Sequence, residues 1–160
     1  MNPHLYAYLA KLPAFFPNSE GLFDKKVVLK VSDFRSALIQ AKYLAKRGVW
    51  VSEFRIESGL NCGGHAFATD GFLLGPILQE FKEKKESLKT ELFEIYHEYW
   101  TSQKRSLTTP PIIKYTVQGG VGTASEHQFL LNYYEFDAVG WGSPFLMVPE
   151  ATTVDQETLK

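Results

Sequence analysis

Short runs of β-branched and aromatic residues alternate with helical patterns along most of this chain, and the later runs end in glycine. That alternation restricts the fold more than any single residue does. Residues 25–31 (KKVVLKV) read as a strand, and Ser32 behind them is a good N-cap because its hydroxyl can accept a bond from a first-turn amide. A helix follows over residues 33–47, where Phe34, Leu38, Ile39, Ala41, Leu44 and Ala45 recur at helical spacing and Gly48 marks the stop. Residues 49–56 form the second predicted strand, and residues 57–65 (ESGLNCGGH) form a loop. Ile77, Leu78, Phe81, Leu88, Leu92, Ile95, Tyr96 and Tyr99 then make one apolar stripe. It starts between Phe72 and Pro76 and runs to about Trp100, as one long helix or a helix pair. Pro110 and Pro111 reset the chain before a third strand at residues 112–117. Thr123-Ala124-Ser125-Glu126 has the spacing of a capping box and opens the next helix. The last strand spans residues 136–142, and Ser143-Pro144 suits the start of a short final helix.

The order β-α-β-α-β-α-β implies α/β architecture with a parallel sheet, since parallel neighbours need a crossover connection between them. Four such strands make half of an eight-stranded (β/α)8 TIM barrel, a fold of about 250 residues. The expectation is therefore a partial barrel, its C-terminal half, over residues 26–150. An irregular or partly helical segment (1–25) precedes it and a tail (151–160) follows. Half a barrel leaves sheet edges to be covered, so a missing N-terminal half or a second copy in a homo-oligomer is the expected partner. In the second strand Trp50, Phe54 and Ile56 fall on one face, and Glu53, Arg55 and Glu57 on the other. The polar face would point into a barrel interior near its mouth; the alternative is an edge strand with one wet face.

With 160 residues, 44% hydrophobic and 22% charged, the chain has the make-up of one ordinary globular domain. A net charge of −1 gives no electrostatic footprint for nucleic acid or an anionic membrane. Lys82 to Lys85 are mixed with Glu83, and like Lys104-Arg105 they read as solvated helix surface. The single cysteine, Cys62, excludes an internal disulfide framework and fits a reducing compartment. No apolar stretch approaches the roughly 20 residues needed to span a bilayer, and Met1-Asn2-Pro3-His4 lacks a signal pattern, so a cytoplasmic location is expected.

Chemistry concentrates where the predicted strands end. Gly119, Gly120 and Gly122 precede the capped helix, and backbone without side chains lets an anion approach amide donors at a positive helix end. Gly140-Trp141-Gly142-Ser143 lies at the next strand end and could meet the same anion from the other side; together the two clusters suggest a phosphate cup. Gly63 and Gly64 precede His65, whose imidazole suits proton transfer near neutral pH, beside the polar Ser58, Asn61 and Thr69. His4, His97 and His127 read as surface or packing residues. Cys62 and His65 have a metal-ligand spacing, but no second pair completes a tetrahedral site, so no metal is expected. Cys62 is read as a small buried thiol, with nucleophilic use as the alternative.

ESGLNCGGHAF, VQGGVGTASEHQFLL and FDAVGWGSPFL together resemble the C-terminal half of the nitronate monooxygenase and 2-nitropropane dioxygenase family, which includes FMN-dependent enoyl reductases. The resemblance covers about residues 26–147 and rests on Gly59, Gly63, Gly64 and His65, then Gly119 and Gly120, then Gly140 and Gly142. It implies an FMN-binding TIM barrel, a flavoprotein oxidoreductase or monooxygenase acting on a small-molecule substrate. By that resemblance His65 is the catalytic base or flavin-side hydrogen-bonding residue. The cofactor-binding set is Ser58, Gly63, Gly64, Gly119, Gly120, Gly140, Gly142 and Ser143. Two alternatives are a flavin-free phosphate- or nucleotide-binding barrel, such as an inosine-monophosphate-dehydrogenase-like enzyme, and a non-catalytic half-barrel scaffold.

Overall fold

The computed structural model describes residues 3–18, 20–57, 74–105 and 107–141. A short helix α1 (Pro3–Leu9) and a single 3-10 turn at Pro13–Phe15 come first. The strands β1 (Val27–Val31), β2 (Val51–Glu57), β3 (Lys114–Gln118) and β4 (Ala138–Gly140) then alternate with helices α2 (Phe34–Ala45), α3 (Leu74–Ser102) and α4 (Ala124–Asn132). All neighbouring strands pair in parallel, in the order β1-β2-β3-β4. The result is an α/β fold with one four-stranded parallel sheet, consistent with half of a βα-barrel. Because β2 lies between β1 and β3, the reading of that run as an edge strand is excluded.

Local chemistry places the element ends slightly differently from the sequence reading. The N-cap of α2 is Asp33, not Ser32: its carboxylate accepts from the Ser36 amide at 2.6 Å, while the Ser32 hydroxyl is within 3.4 Å of the same carboxylate. A charged acceptor at the positive end of a helix outcompetes a neutral hydroxyl. Trp50 precedes β2 rather than opening it, although its ring is buried against Tyr96. The long apolar stripe is a single helix of 29 residues, with Gly75 and Pro76 in a first turn where a missing amide hydrogen costs little. Arg105 is not solvated helix surface. It lies beyond α3, donates to the carbonyls of Pro17 and Asn18, and stands 4.7 Å from the Trp100 ring, tying the N-terminal segment to the end of that helix.

The core sits on one face of the sheet. Val27, Leu29 and Val31 of β1, Phe54 and Ile56 of β2, and Tyr115 and Val117 of β3 are all buried there. Helices α2 and α3 pack against each other over this face. Phe81 of α3 is fully enclosed; its ring lies 5.2 Å from Phe34, 6.4 Å from Phe54 and 6.3 Å from Tyr115. Gly48, just past α2, has φ +73°, and the ring of Tyr99 occupies the space a Cβ would need. Glycine thus permits both the turn and the close approach of α3.

The other face carries Val28 and Lys30, Glu53, Arg55 and Glu57, Lys114, Thr116 and Gln118, and no described helix covers it. Among the described residues the sheet is covered on one face only, which is unusual for an open α/β layer. The inward-facing side of a barrel strand looks like this when seen without the opposite half.

Candidate functional site at the carboxyl ends of the strands

The last residues of β2, β3 and β4 stand in one row, with Glu57 in register with Gln118 and Gln118 with Gly140. Glu57 is the charged side chain that is buried among the described residues, at 8% exposure. Lys30, on the neighbouring β1, holds its carboxylate at 2.8 Å. Further down the same face Glu53 accepts from Thr116 at 2.8 Å and from the Arg55 guanidinium at 3.1 Å. Alternation along β2 puts all three of its acidic and basic residues on this open side, as the sequence reading expected.

Beyond β3 the chain turns through Gly119 and Gly120, with φ +79° and +73°. Both conformations are left-handed, and only glycine adopts them cheaply. The Gly119 amide donates to the Gly140 carbonyl at 3.0 Å, so the turn is tied to the end of β4 and the two predicted glycine clusters do meet. Among the described residues the amides of Gly120 and Val121 make no hydrogen bond.

The amino end of α4 is closed. Glu126 Oε2 accepts from the amides of Gly122 and Thr123 at 2.9 Å each, and Thr123 Oγ1 accepts from the Glu126 amide at 3.2 Å. This is the predicted capping box in full. The Gly122 amide, helped by Thr123, holds the Glu126 carboxyl below the usual carboxylate range. Two of the donors near this helix end, the Gly122 and Thr123 amides, are therefore already paired with the protein's own negative charge.

Two further features escaped the sequence reading. Trp141 Nε1 donates to His127 Nδ1 at 2.8 Å, which connects α4 to the exit of β4. The side chain of Gln118 lies directly against Gly140, where a Cβ would collide with its carboxamide. Nothing in one-dimensional spacing marks either contact; both depend on β3 and β4 being neighbours.

Of the residues proposed from sequence, Gly119, Gly120 and Gly140 are brought together. Ser58, Gly59, Asn61, Cys62, Gly63, Gly64, His65, Gly142 and Ser143 lie outside the described residues. Among the described residues no three His, Cys, Asp or Glu side chains converge as a metal site would need, and no helix is long and apolar enough to cross a membrane. Comparison of the chain with protein families, with curated proteins and with solved structures gives no match.

Proposed function

We propose that this chain is the C-terminal half of an FMN-dependent oxidoreductase of the nitronate monooxygenase type, working in the reducing cytoplasm. The supporting observation is that the Gly119–Gly120 turn and Gly140 are joined at the carboxyl ends of adjacent parallel strands, where barrels place phosphate and reacting groups. The fit to a flavin phosphate is good at the turn, whose Gly120 and Val121 amides are unspent, and poor at the α4 terminus, which Glu126 fills. The phosphate is thus assigned to the turn, with Gly142 and Ser143 completing the contacts that the family resemblance implies. Ser58, Gly63 and Gly64 complete the cofactor set on the same ground. When bound, FMN would supply the redox chemistry, accepting electrons from a small-molecule substrate. His65 is the proposed base, moving a proton to or from that substrate at a pH near its intrinsic range. The sheet face that no described helix covers supports a need for a closing layer, either an N-terminal half or a second copy of the chain.

Flavin titration followed by quenching of FMN fluorescence tests this reading. Saturable binding at one flavin per chain is expected, alone or with the closing half supplied. In a flavin-loaded sample, replacing His65 with alanine should slow anaerobic reduction by substrate roughly 100- to 10,000-fold per bound flavin. Absence of flavin binding under both conditions overturns the assignment. The closed α4 terminus favours the second reading, a non-catalytic half-barrel scaffold, and that outcome would leave the scaffold standing.

A further inference from the structure

Gln118 ends β3 at the centre of the strand-end row, between Glu57 on one side and Gly140 on the other. Its carboxamide makes no hydrogen bond among the described residues, yet its position is defined by the flat, side-chain-free backbone of Gly140 beneath it. The Gly119 to Gly140 hydrogen bond at 3.0 Å fixes that floor relative to β3. Such a group is preorganised and unspent.

A primary carboxamide offers a donor and an acceptor side by side, whichever way the amide is turned. Its complement is a planar ligand edge that presents an N–H next to a carbonyl, as in an imide or a lactam. A carboxylate or phosphate offers acceptors only and would leave the carboxamide's own acceptor without a partner. We propose that Gln118 is a specificity-determining residue that reads the imide edge of a planar heterocycle by two hydrogen bonds, and that Gly140 is required as its seat. Resting on the flavin reading above, this makes the heterocycle the pyrimidine end of the isoalloxazine ring, where N3–H lies between two carbonyls. It also reassigns Gly140 from phosphate contact to support of Gln118.

The test compares FMN with 3-methyl-FMN, which keeps the phosphate and the ring but lacks the N3 hydrogen. The N3 methyl removes one hydrogen bond outright and holds the carboxamide off the neighbouring carbonyl, and the loss of two hydrogen bonds of ordinary strength corresponds to about a 10- to 100-fold difference in affinity. Wild-type protein should bind FMN more tightly than the methylated analogue by that factor. Gln118→Ala should weaken FMN to the level of the analogue and erase the discrimination. Gly140→Ala should do the same with the fold intact, because a Cβ displaces only the mobile end of the Gln118 side chain. Equal binding of the two flavins by wild-type protein, or discrimination retained in Gln118→Ala, overturns the proposal while leaving the flavin reading in place. Failure of both flavins to bind overturns the proposal and the flavin reading together.

Discussion

The two faces of the sheet are built on opposite principles although they share every backbone hydrogen bond. On the covered face Phe54, Ile56, Tyr115 and Val117 meet Phe81 and the rest of the helical layer, and specificity comes from shape. On the open face Lys30 pairs with Glu57 and Thr116 with Glu53 across neighbouring strands, while Arg55 pairs with Glu53 along β2, and specificity comes from charge and hydrogen bonding. Packing on one face stabilises the fold, and no described helix packs on the other. Period-two alternation is what lets a single strand serve both.

The largest test of this contrast is Phe81→Ala, which removes a fully buried ring touching three others. A loss of about 3–5 kcal/mol is expected in urea unfolding. A loss under about 1 kcal/mol would show that the covered face is loosely packed. Alkaline titration addresses the same face. Burial, aided by Glu86 and Asp137, raises the Tyr115 hydroxyl well above its usual range, and burial does the same for Tyr96. A raised folded value means that the stabilisation is complete below the ordinary tyrosine range near pH 10 and declines as pH rises beyond it. Unfolding midpoints measured across alkaline pH should fall there; a flat profile would contradict the burial.

Asp33→Ala, which deletes the cap of α2 over the covered face, should cost about 1 kcal/mol, with Ser32 unable to compensate. Retention of full stability would restore Ser32 as the working cap. On the open face Arg55→Ala should change stability by under about 0.5 kcal/mol, since its ion pair with Glu53 is exposed to solvent. A larger loss would mean that this face is packed against something in solution. The smallest effect is expected in acid. Glu126 is held low by its backbone bonds and Glu135 by Lys85, so their contributions are present at neutral pH and fade as pH falls through the carboxylate range. In Glu126→Gln that part of the acid slope should disappear from the midpoint-against-pH curve. An unchanged slope would remove the carboxylate from the helix end.

Much of this fold is legible in the sequence because its signals are local. The capping box at Thr123 and Glu126, the stop at Gly48 and the alternation along β2 each need only a few neighbouring residues, and each appears as expected. The strands predicted to start at Lys25, Ile112 and Phe136 begin two residues later, at Val27, Lys114 and Ala138, since β propensity extends past the point where a partner strand is available. The site was less legible. The sequence identified Gly119, Gly120, Gly122, Gly140 and Gly142 but assigned all of these to an anion. It could not show that Glu126 would fold back on the Gly122 and Thr123 amides, or that Gly140 would lie under Gln118, 22 positions earlier in the chain. Arg105 shows the same limit, because its carbonyl partners at Pro17 and Asn18 are 88 and 87 residues away.

Strand order has a consequence for how the molecule comes into being. Each strand pairs with its immediate predecessor in the chain, so the sheet can grow by addition at one edge, in the order in which a ribosome releases it. No strand must wait for a later one to be inserted between two earlier ones. The newest edge is the least secured, and among the described strands it is β4, three residues long. Amide hydrogens of Ala138 to Gly140 should accordingly exchange before those of β2, which is flanked on both sides. The seat of Gln118 is then assembled last and opened first, and it inherits the lability of the growing end of the sheet.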